Sequence, residues 1–402
     1  MLYTSLSIQK MRKGFLICTL VLALLCTVVL LPASASAKVS KTKTSQGFKY
    51  EIRSGKQAKW GDGAYIMGYV GKKTKISIPK KLGGKTVVAA AISRVSEWNE
   101  GNKPYDESMS NLYWSKKVKS ISTNKATGLK YLEIAYQPLS SIGLSSNKKL
   151  QRLVLFGNKS TTIGKLDIKK NTNLRALDVG ELKKLKSLDL SKNTKLTSLY
   201  LDTLPKLKSL NVSKNTKLVR LTLYSCPVGS LSLASNKRLD ELSIYGTALT
   251  KLDISKNVQL RHLSAVKTKI KNLDLSKNAK LANLTLAGTR LAALNIGDKA
   301  HIYGVDVSEC RLSSLVIGRC PELKLLWADG NYLTSMNLTG APKLEWLQCS
   351  RNLLSVLDVN GNIQLERLDC TNNNLTSLDV IANVNLKYFS CDPGVIVTGW
   401  PR

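Results

Sequence analysis

Apolar residues recur along most of the chain at a fixed stride. Leucine-type residues opening a Leu-Asp-Val-like triplet fall at Leu166, Leu188, Leu210, Leu231, Leu252, Leu273, Leu294, Leu315, Met336, Leu357 and Leu378, with looser copies at Ile121 and Ile142. The last eight intervals are 21 residues and the two before them are 22. With the first residue of the triplet as position 0, apolar residues return at 2, 8, 11, 13 and usually 18, as in Leu357, Val359, Leu365, Leu368, Cys370 and Leu375. Positions 0–2 and 11–13 each read apolar-x-apolar, the alternation of a short strand with one buried face. A period of this size predicts a solenoid. About thirteen coils over residues 121–391 would stack at about 4.8 Å each into roughly 60 Å of in-register parallel strands. No coil can bury its leucines alone, so each depends on its neighbours.

Two polar columns keep the same stride. Asn147, Asn171, Asn193, Asn215, Asn236, Asn257, Asn278, Asn362 and Asn383 occupy position 5, where a short amide can satisfy buried backbone groups at a tight corner. The second column holds Asn158, Cys226, Thr247, Thr268, Thr289, Cys310, Asn331, Asn352 and Asn373. Leu365-x-x-Leu368-x-Cys370-x-x-Asn373-x-Leu375 resembles the recurrent half of a leucine-rich repeat, and Leu378-Asp379-Val380 resembles the variable half of the 21-residue bacterial class. The resemblance covers about two thirds of the chain. It implies a mostly β solenoid, a leucine-rich repeat superhelix of 21–24-residue coils, serving adhesion or recognition. It also implies that the second column bonds turn backbone inside each coil; Leu182 and Leu204 depart from it, which leaves the turns of those two coils open.

Residues 38–120 do not share the repeat. Phe48–Ile52, Tyr65–Met67 and Lys75–Ile78 read as short strands between Gly and Lys turns. Gly68-Tyr69-Val70-Gly71, Ile76-Ser77-Ile78-Pro79 and Gly84-Lys85-Thr86-Val87 are similar to the segment that opens many leucine-rich repeat surface proteins of gut and oral bacteria. The region is assigned the job of covering the first coil's exposed core. Trp98 to Trp114 reads as an irregular loop or short helix. Ahead of all this, Lys10, Arg12 and Lys13 precede an apolar run from Phe15 to Leu31, then Pro32 and Ala33-Ser34-Ala35-Ser36-Ala37. This is the pattern of a secretory signal peptide cleaved after Ala37; the run is short for a membrane anchor and small residues follow it. The expected organisation is a signal peptide over 1–37, a capping region over 38–120, the solenoid over 121–391 and a tail over 392–402, in a protein secreted or held at the cell surface, with no transmembrane segment in the mature chain.

Charge sharpens this picture. The 402 residues carry 61 Lys+Arg against 27 Asp+Glu, a net of +34. The signal segment removes three positive charges, and residues 301–402 hold eight Lys+Arg and ten Asp+Glu, so the basicity is confined to residues 38–300. Part of it repeats with the coils. Lys170, Lys192, Lys195, Lys214, Lys217, Lys256, Lys277 and Lys280, at positions 4 and 7, form a ridge suited to a linear polyanion. The alternative is a solvated edge partly neutralised by Asp167, Asp189, Asp253 and Asp274. Anions within reach of an exported protein are wall polymers, anionic lipid surfaces and glycosaminoglycans; with no reading motif, nucleic acid is not expected.

Outward positions of the main sheet, 10, 12 and 14, carry two aromatic clusters: Tyr200, Tyr224, Tyr245 and His262 beside Arg220 and Glu241, and Leu325, Trp327, Trp346 and Tyr388 near Asp306, Asp329, Gln348 and Asp369. Exposed aromatics on a rigid sheet mark binding faces for a protein or glycan ligand. Cys349, Cys370 and Cys391 stack at position 13 as small buried hydrophobes, close enough in register that one bridge is sterically allowed. They have no Cys-x-x-Cys spacing and no His among them, so no metal or cofactor is expected. His262 and His301 lie on different coils with no Ser or Cys nucleophile spaced to meet either, so catalysis is not expected. Two classes of function fit: an adhesion or recognition module, or a structural envelope protein bound to anionic wall polymers by the lysine ridge.

Overall fold

The computed structural model describes residues 38–93 and 117–400; the expected signal peptide and the segment from Trp98 to Trp114 lie outside them. It is a β solenoid of about 15 turns. The main sheet is parallel and in register: Tyr131–Ala135, Arg152–Phe156, Ala176–Gly180, Ser198–Asp202, Arg220–Tyr224 and Glu241–Tyr245 pair in sequence order, residue for residue, and the sheet continues through His262–Ser264 to Tyr388–Ser390. Positions 11 and 13 of each strand point into one continuous leucine core running from Phe48 to Val380. Each buried leucine contributes about 1.5–3 kcal/mol of transfer free energy, and all of it depends on stacking.

The turn count exceeds the thirteen repeat copies because the N-terminal region joins the stack. Gly63–Tyr69 and Lys85–Ser93 run parallel to each other and to Tyr131–Ala135 in the main sheet, while Lys75–Ser77 pairs with Ser120–Ser122 on the second arc. Lys38–Val39, Lys43–Ser45 and Phe48–Ser54 pair antiparallel, closing the edge beside Gly63–Tyr69, and Lys81–Leu82 folds back antiparallel on the start of Lys85–Ser93.

The second arc, positions 0–2, forms ladders in few coils among the described residues: Ala293–Gly297 with Ser314–Ile317, Ser377–Asp379 with Ile396–Thr398, and the N-terminal pair. This is sparser than the two strands per coil that the alternation suggests. The arc ends in an Asx turn, in the ladder-forming coils (Asn295 with Gly297, Asp379 with Ile381) as in the others. The side-chain oxygen at position 1 accepts a hydrogen bond from the backbone N–H at position 3, as Asp189 does from Ser191 (2.9 Å), Asp253 from Ser255 (2.9 Å) and Asp274 from Ser276 (2.8 Å).

Two corners hold the coils together. At position 5 the Asn amides are buried, and each Nδ2 reaches back one coil: Asn193 donates to Ile168 and Asn171 carbonyls, Asn215 to Leu190 and Asn193, Asn236 to Val212 and Asn215, at 2.9–3.2 Å. Where the ladder runs, each coil's corner carbonyls are thus satisfied by its successor. In the second column, Asn331 and Asn352 donate to carbonyls of their own and the preceding coil and accept from Leu312 and Leu333 N–H groups. The residue just before that column takes a left-handed conformation in coil after coil, whether Gly246, Gly288 and Gly330 or Ser225, Lys267 and Arg351. Leu182 and Leu204 keep this corner. Glu181 and Thr203 have φ of 56° and 46°, and their N–H groups donate to Asp202 and Tyr224 carbonyls. The apolar side chains simply fill the core space that an amide occupies elsewhere.

The position-5 ladder lapses in three consecutive coils, at Lys299, Cys320 and Ala341, all buried. Backbone replaces it: Lys299 N–H donates to the Arg319 carbonyl and Cys320 N–H to the Gly340 carbonyl. The coils pack so closely here that a Cβ on Gly340 would lie 1.9 Å from the Gly318 carbonyl oxygen. The second-arc ladder of Ala293–Gly297 with Ser314–Ile317 forms at the same place.

Replacing Asn236 by Ala strands two buried carbonyls, and each unmade buried hydrogen bond costs about 1–3 kcal/mol. The urea midpoint of Asn236→Ala should fall with the m-value unchanged. The Asx turns add a pH dependence. Bonds from Ser191 and the ammonium of Lys169 hold Asp189 at about 2, below its ordinary value of 3.8, and bonds from Ser255 and Ser276 lower Asp253 and Asp274. A depressed folded value means stabilisation that is full above the unfolded value and lost as pH falls through the folded one. Between about pH 4 and pH 2, thermal melts of the parent should drop more steeply than those of Asp189→Asn with Asp253→Asn and Asp274→Asn, which retain the acceptor oxygens.

Candidate recognition face on the main sheet

The register places positions 10, 12 and 14 in three columns on the outer side of the main sheet, and the start of that surface is closed. Tyr65, Met67, Ala91, Tyr131, Val154 and Phe156 make a second buried cluster separate from the leucine core, with the Trp60 ring 5.0 Å from that of Tyr131. Glu133 lies inside, accepting from Ser93 Oγ at 2.7 Å and from the Tyr131 hydroxyl at 2.5 Å.

Tyr200 stands at the margin of this cluster, half-buried, its ring 6.2 Å from Phe156. Its hydroxyl donates to Asp202 Oδ2 at 3.3 Å; burial, then the Asp202 charge, pushes the phenol above its ordinary value. One and two coils on, Tyr224 and Tyr245 stack face to face at 4.4 Å and 6°, with Lys267 Nζ 5.6 Å from the Tyr245 ring. Arg220, Glu241 and His262 are successive neighbours in the position-10 column. Burial raises the Glu241 carboxyl against the opposing Arg220 charge. Burial lowers His262, whose Nδ1 lies 3.1 Å from Asn283 Nδ2; the imidazole is neutral near pH 7 and accepts from the amide. Position 12 carries small side chains here, Thr222, Ser243, Ser264 and Thr285, between the bulk of Tyr200 and the Asp306 that precedes Trp327.

In the second cluster Trp327 and Trp346 sit on adjacent strands with ring centroids 5.6 Å apart. Trp327 was expected to be exposed and is not: only 5% of it is accessible. It occupies the central column, between Asp306 and Gln348, themselves buried, and Trp346 packs against it from the neighbouring column. Leu325 and Trp346 are half-buried, and Tyr388 is exposed. Between Trp346 and Tyr388 lies a residue absent from the sequence-based candidates, Arg367. Its guanidinium carbon is 4.9 Å from the Trp346 ring centroid and 3.9 Å from that of Tyr388. The signal was available, since Arg367 fills position 10 between two aromatics of the same column. The nearby carboxylates are already engaged: Asp306 accepts from Ser308 N and Oγ, and Asp329 pairs with Arg351 at 2.9 Å, Arg351 also pairing with Glu309. The Asp306 and Asp329 pair therefore serves local structure.

All eight ridge lysines are exposed. Among the described residues none of the eight makes a salt bridge; Lys195 and Lys280 donate to the neutral side chains of Asn173 and Gln259 at 2.7 and 2.6 Å. The aspartates expected to neutralise them accept backbone N–H groups in the Asx turns and keep their charge: Lys169 pairs with Asp189 at 3.2 Å, and the charges of Lys256 and Lys277 help to lower Asp253 and Asp274. No group of three His, Cys, Asp or Glu among the described residues is placed to hold a metal.

These features sit on a fold that is known. The functional domain of InlJ from Listeria monocytogenes, which includes a cysteine ladder, is similar with a TM-score of 0.55 and 23% identity, over 80% of this chain and 63% of that one. An internalin from the same organism gives 0.52 and 22%, over 70% and 80%. The plant peptide hormone receptor RGFR1, solved in complex with RGF2, gives 0.54 and 18%, over 80% and 61%. This chain spans less than two thirds of the InlJ chain. It has the leucine-rich repeat fold. No protein family and no curated protein matches the sequence.

Cys349 and Cys370 are buried and Cys391 is half-buried, all unbridged. Burial pushes Cys370 up to about 12 and Cys349 well above the ordinary thiol value. Because the thiolate is the reactive form, iodoacetamide at pH 8 should label Cys391 first on the native protein, with Cys349 and Cys370 following only in urea, as read by peptide mass spectrometry.

Proposed function

We propose that this chain is an exported recognition module, secreted or held at the cell surface, that binds a protein or glycan ligand through the outer face of its main sheet. The observation that carries the reading is the row Trp346, Arg367 and Tyr388, with a guanidinium between two aromatic rings and Trp327 packed behind. Trp, Tyr and Arg are the side chains that dominate binding energy at interfaces, and stacking fixes their conformations before a ligand arrives, lowering the ordering cost. The Tyr224–Tyr245 stack offers a second contact on the same face. Leucine-rich repeat neighbours are binding modules, and RGFR1 was solved with a peptide hormone; a protein or peptide ligand is the first to test. Residues 1–37 support export. Among the described residues no helix is long and apolar enough to cross a membrane.

The test is a panel of extracellular proteins and immobilised glycans probed with the mature chain. Trp346→Ala combined with Tyr388→Ala should weaken the captured interaction about thirtyfold or more, since hot-spot truncations cost about 2 kcal/mol or more. An unchanged affinity would refute the sheet-face reading. For export, the chain recovered outside cells should begin at Lys38.

A further inference from the structure

We propose that the solenoid carries a second site, independent of the sheet face: a track along one corner for a flexible linear phosphodiester polymer of the poly(glycerol phosphate) kind. In each of the eight coils from Ile121 to Lys280, positions 3–7 contain at least one Lys or Arg, and every such residue is exposed. The same positions contain no Asp, no Glu and no aromatic residue. At about 4.8 Å per coil the track is about 34 Å long.

The corner holds these charges in place. Lys192 flanks Asn193 and Lys214 flanks Asn215, and both amides are buried and bonded to the coil before. The side chains therefore leave the surface at a fixed stride, so a polymer lying along the axis meets a new cation at every coil. The adjoining aspartates at the Asx turns remain ionised and offset part of this charge, but within positions 3–7 of these coils no carboxylate stands among the lysines.

The choice of polymer follows from what the track presents. Chains of bases are gripped by stacking on aromatic faces, and none is present at these positions. Recognition is almost wholly by lysine, a point charge on a flexible stem without the planar fork that reads bidentate geometry. That chemistry suits repeating phosphates on a ringless backbone, bound by charge and without a unique register. Above the track's end the coils turn slightly acidic, which sets its length.

The experiment titrates the full mature chain with poly(glycerol phosphate) over a range of salt. The logarithm of affinity should fall linearly with that of salt concentration. Replacing Lys192, Lys195, Lys214 and Lys217 by Gln should lower affinity at least tenfold at about 0.1 M salt and reduce the slope by about 3, each phosphate contact contributing about 0.7–0.9. A charge-matched control, with Lys41, Lys43, Lys72 and Lys73 replaced by Gln, should stay within about twofold of the parent. Circular dichroism checks that both variants fold. Equal loss in the two variants would assign the binding to net charge, and no loss in the ridge variant would remove the site. Tighter binding of a sulfated polysaccharide of matched charge density would overturn the choice of polymer. Trp346→Ala with Tyr388→Ala should leave this binding unchanged, which separates failure here from failure of the sheet-face reading.

Discussion

One side-chain amide, reaching back one coil, governs the molecule. A coil of about 21 residues has no interior of its own, and its backbone turns sharply at corners that are sealed from water. Asn193, Asn215 and Asn236 resolve both problems with one contact. Each gives its two N–H groups to carbonyls of the preceding coil, so the corner is satisfied only when the next coil is in register. Register at the corner then fixes the leucine columns, and the leucine columns fix which side chains leave the sheet and at what interval. The aromatic rows and the lysine ridge are downstream of that bond.

The stacking logic is legible in sequence because it is periodic. The Asn column, the leucine columns and the outward positions 10, 12 and 14 follow from a count of residues alone. Other features depend on neighbours that the count does not supply. Trp327 points outward as its position requires, yet it is buried, because Trp346 and the side chains flanking it in its own column close over it. Arg367 reads as one more surface cation until the rings on either side of it are seen to sandwich it. Gly63–Tyr69 and Lys85–Ser93 belong to the main sheet without carrying the repeat, so the stride gives no hint of the two additional turns. Leu182 and Leu204 break the polar column but not the corner, since the left-handed residue before them sets the turn.

The two surfaces divide the solenoid by chemistry. The basic coils end near Lys280, and the Trp–Arg–Tyr row lies beyond residue 325 where the chain is slightly acidic. The ridge follows a corner and the aromatic row follows the sheet, so a ligand on one need not displace a ligand on the other. A polyanion on the ridge would be held by exposed charges and released by salt, whereas a ligand on the aromatic row would have to cover the exposed Tyr388 ring.

Between these surfaces lies the stretch where Lys299, Cys320 and Ala341 stand in for the amide and the backbones of neighbouring coils touch at Gly318 and Gly340. An amide ladder tolerates small shifts of one coil against the next, because a side chain can swing to keep its bond. Direct contact between main chains leaves no such slack: a Cβ at Gly340 has no room at all. This stretch works as a gauge block, and the offset between whatever the basic coils hold and whatever the aromatic coils hold is set there by the thickness of the peptide backbone.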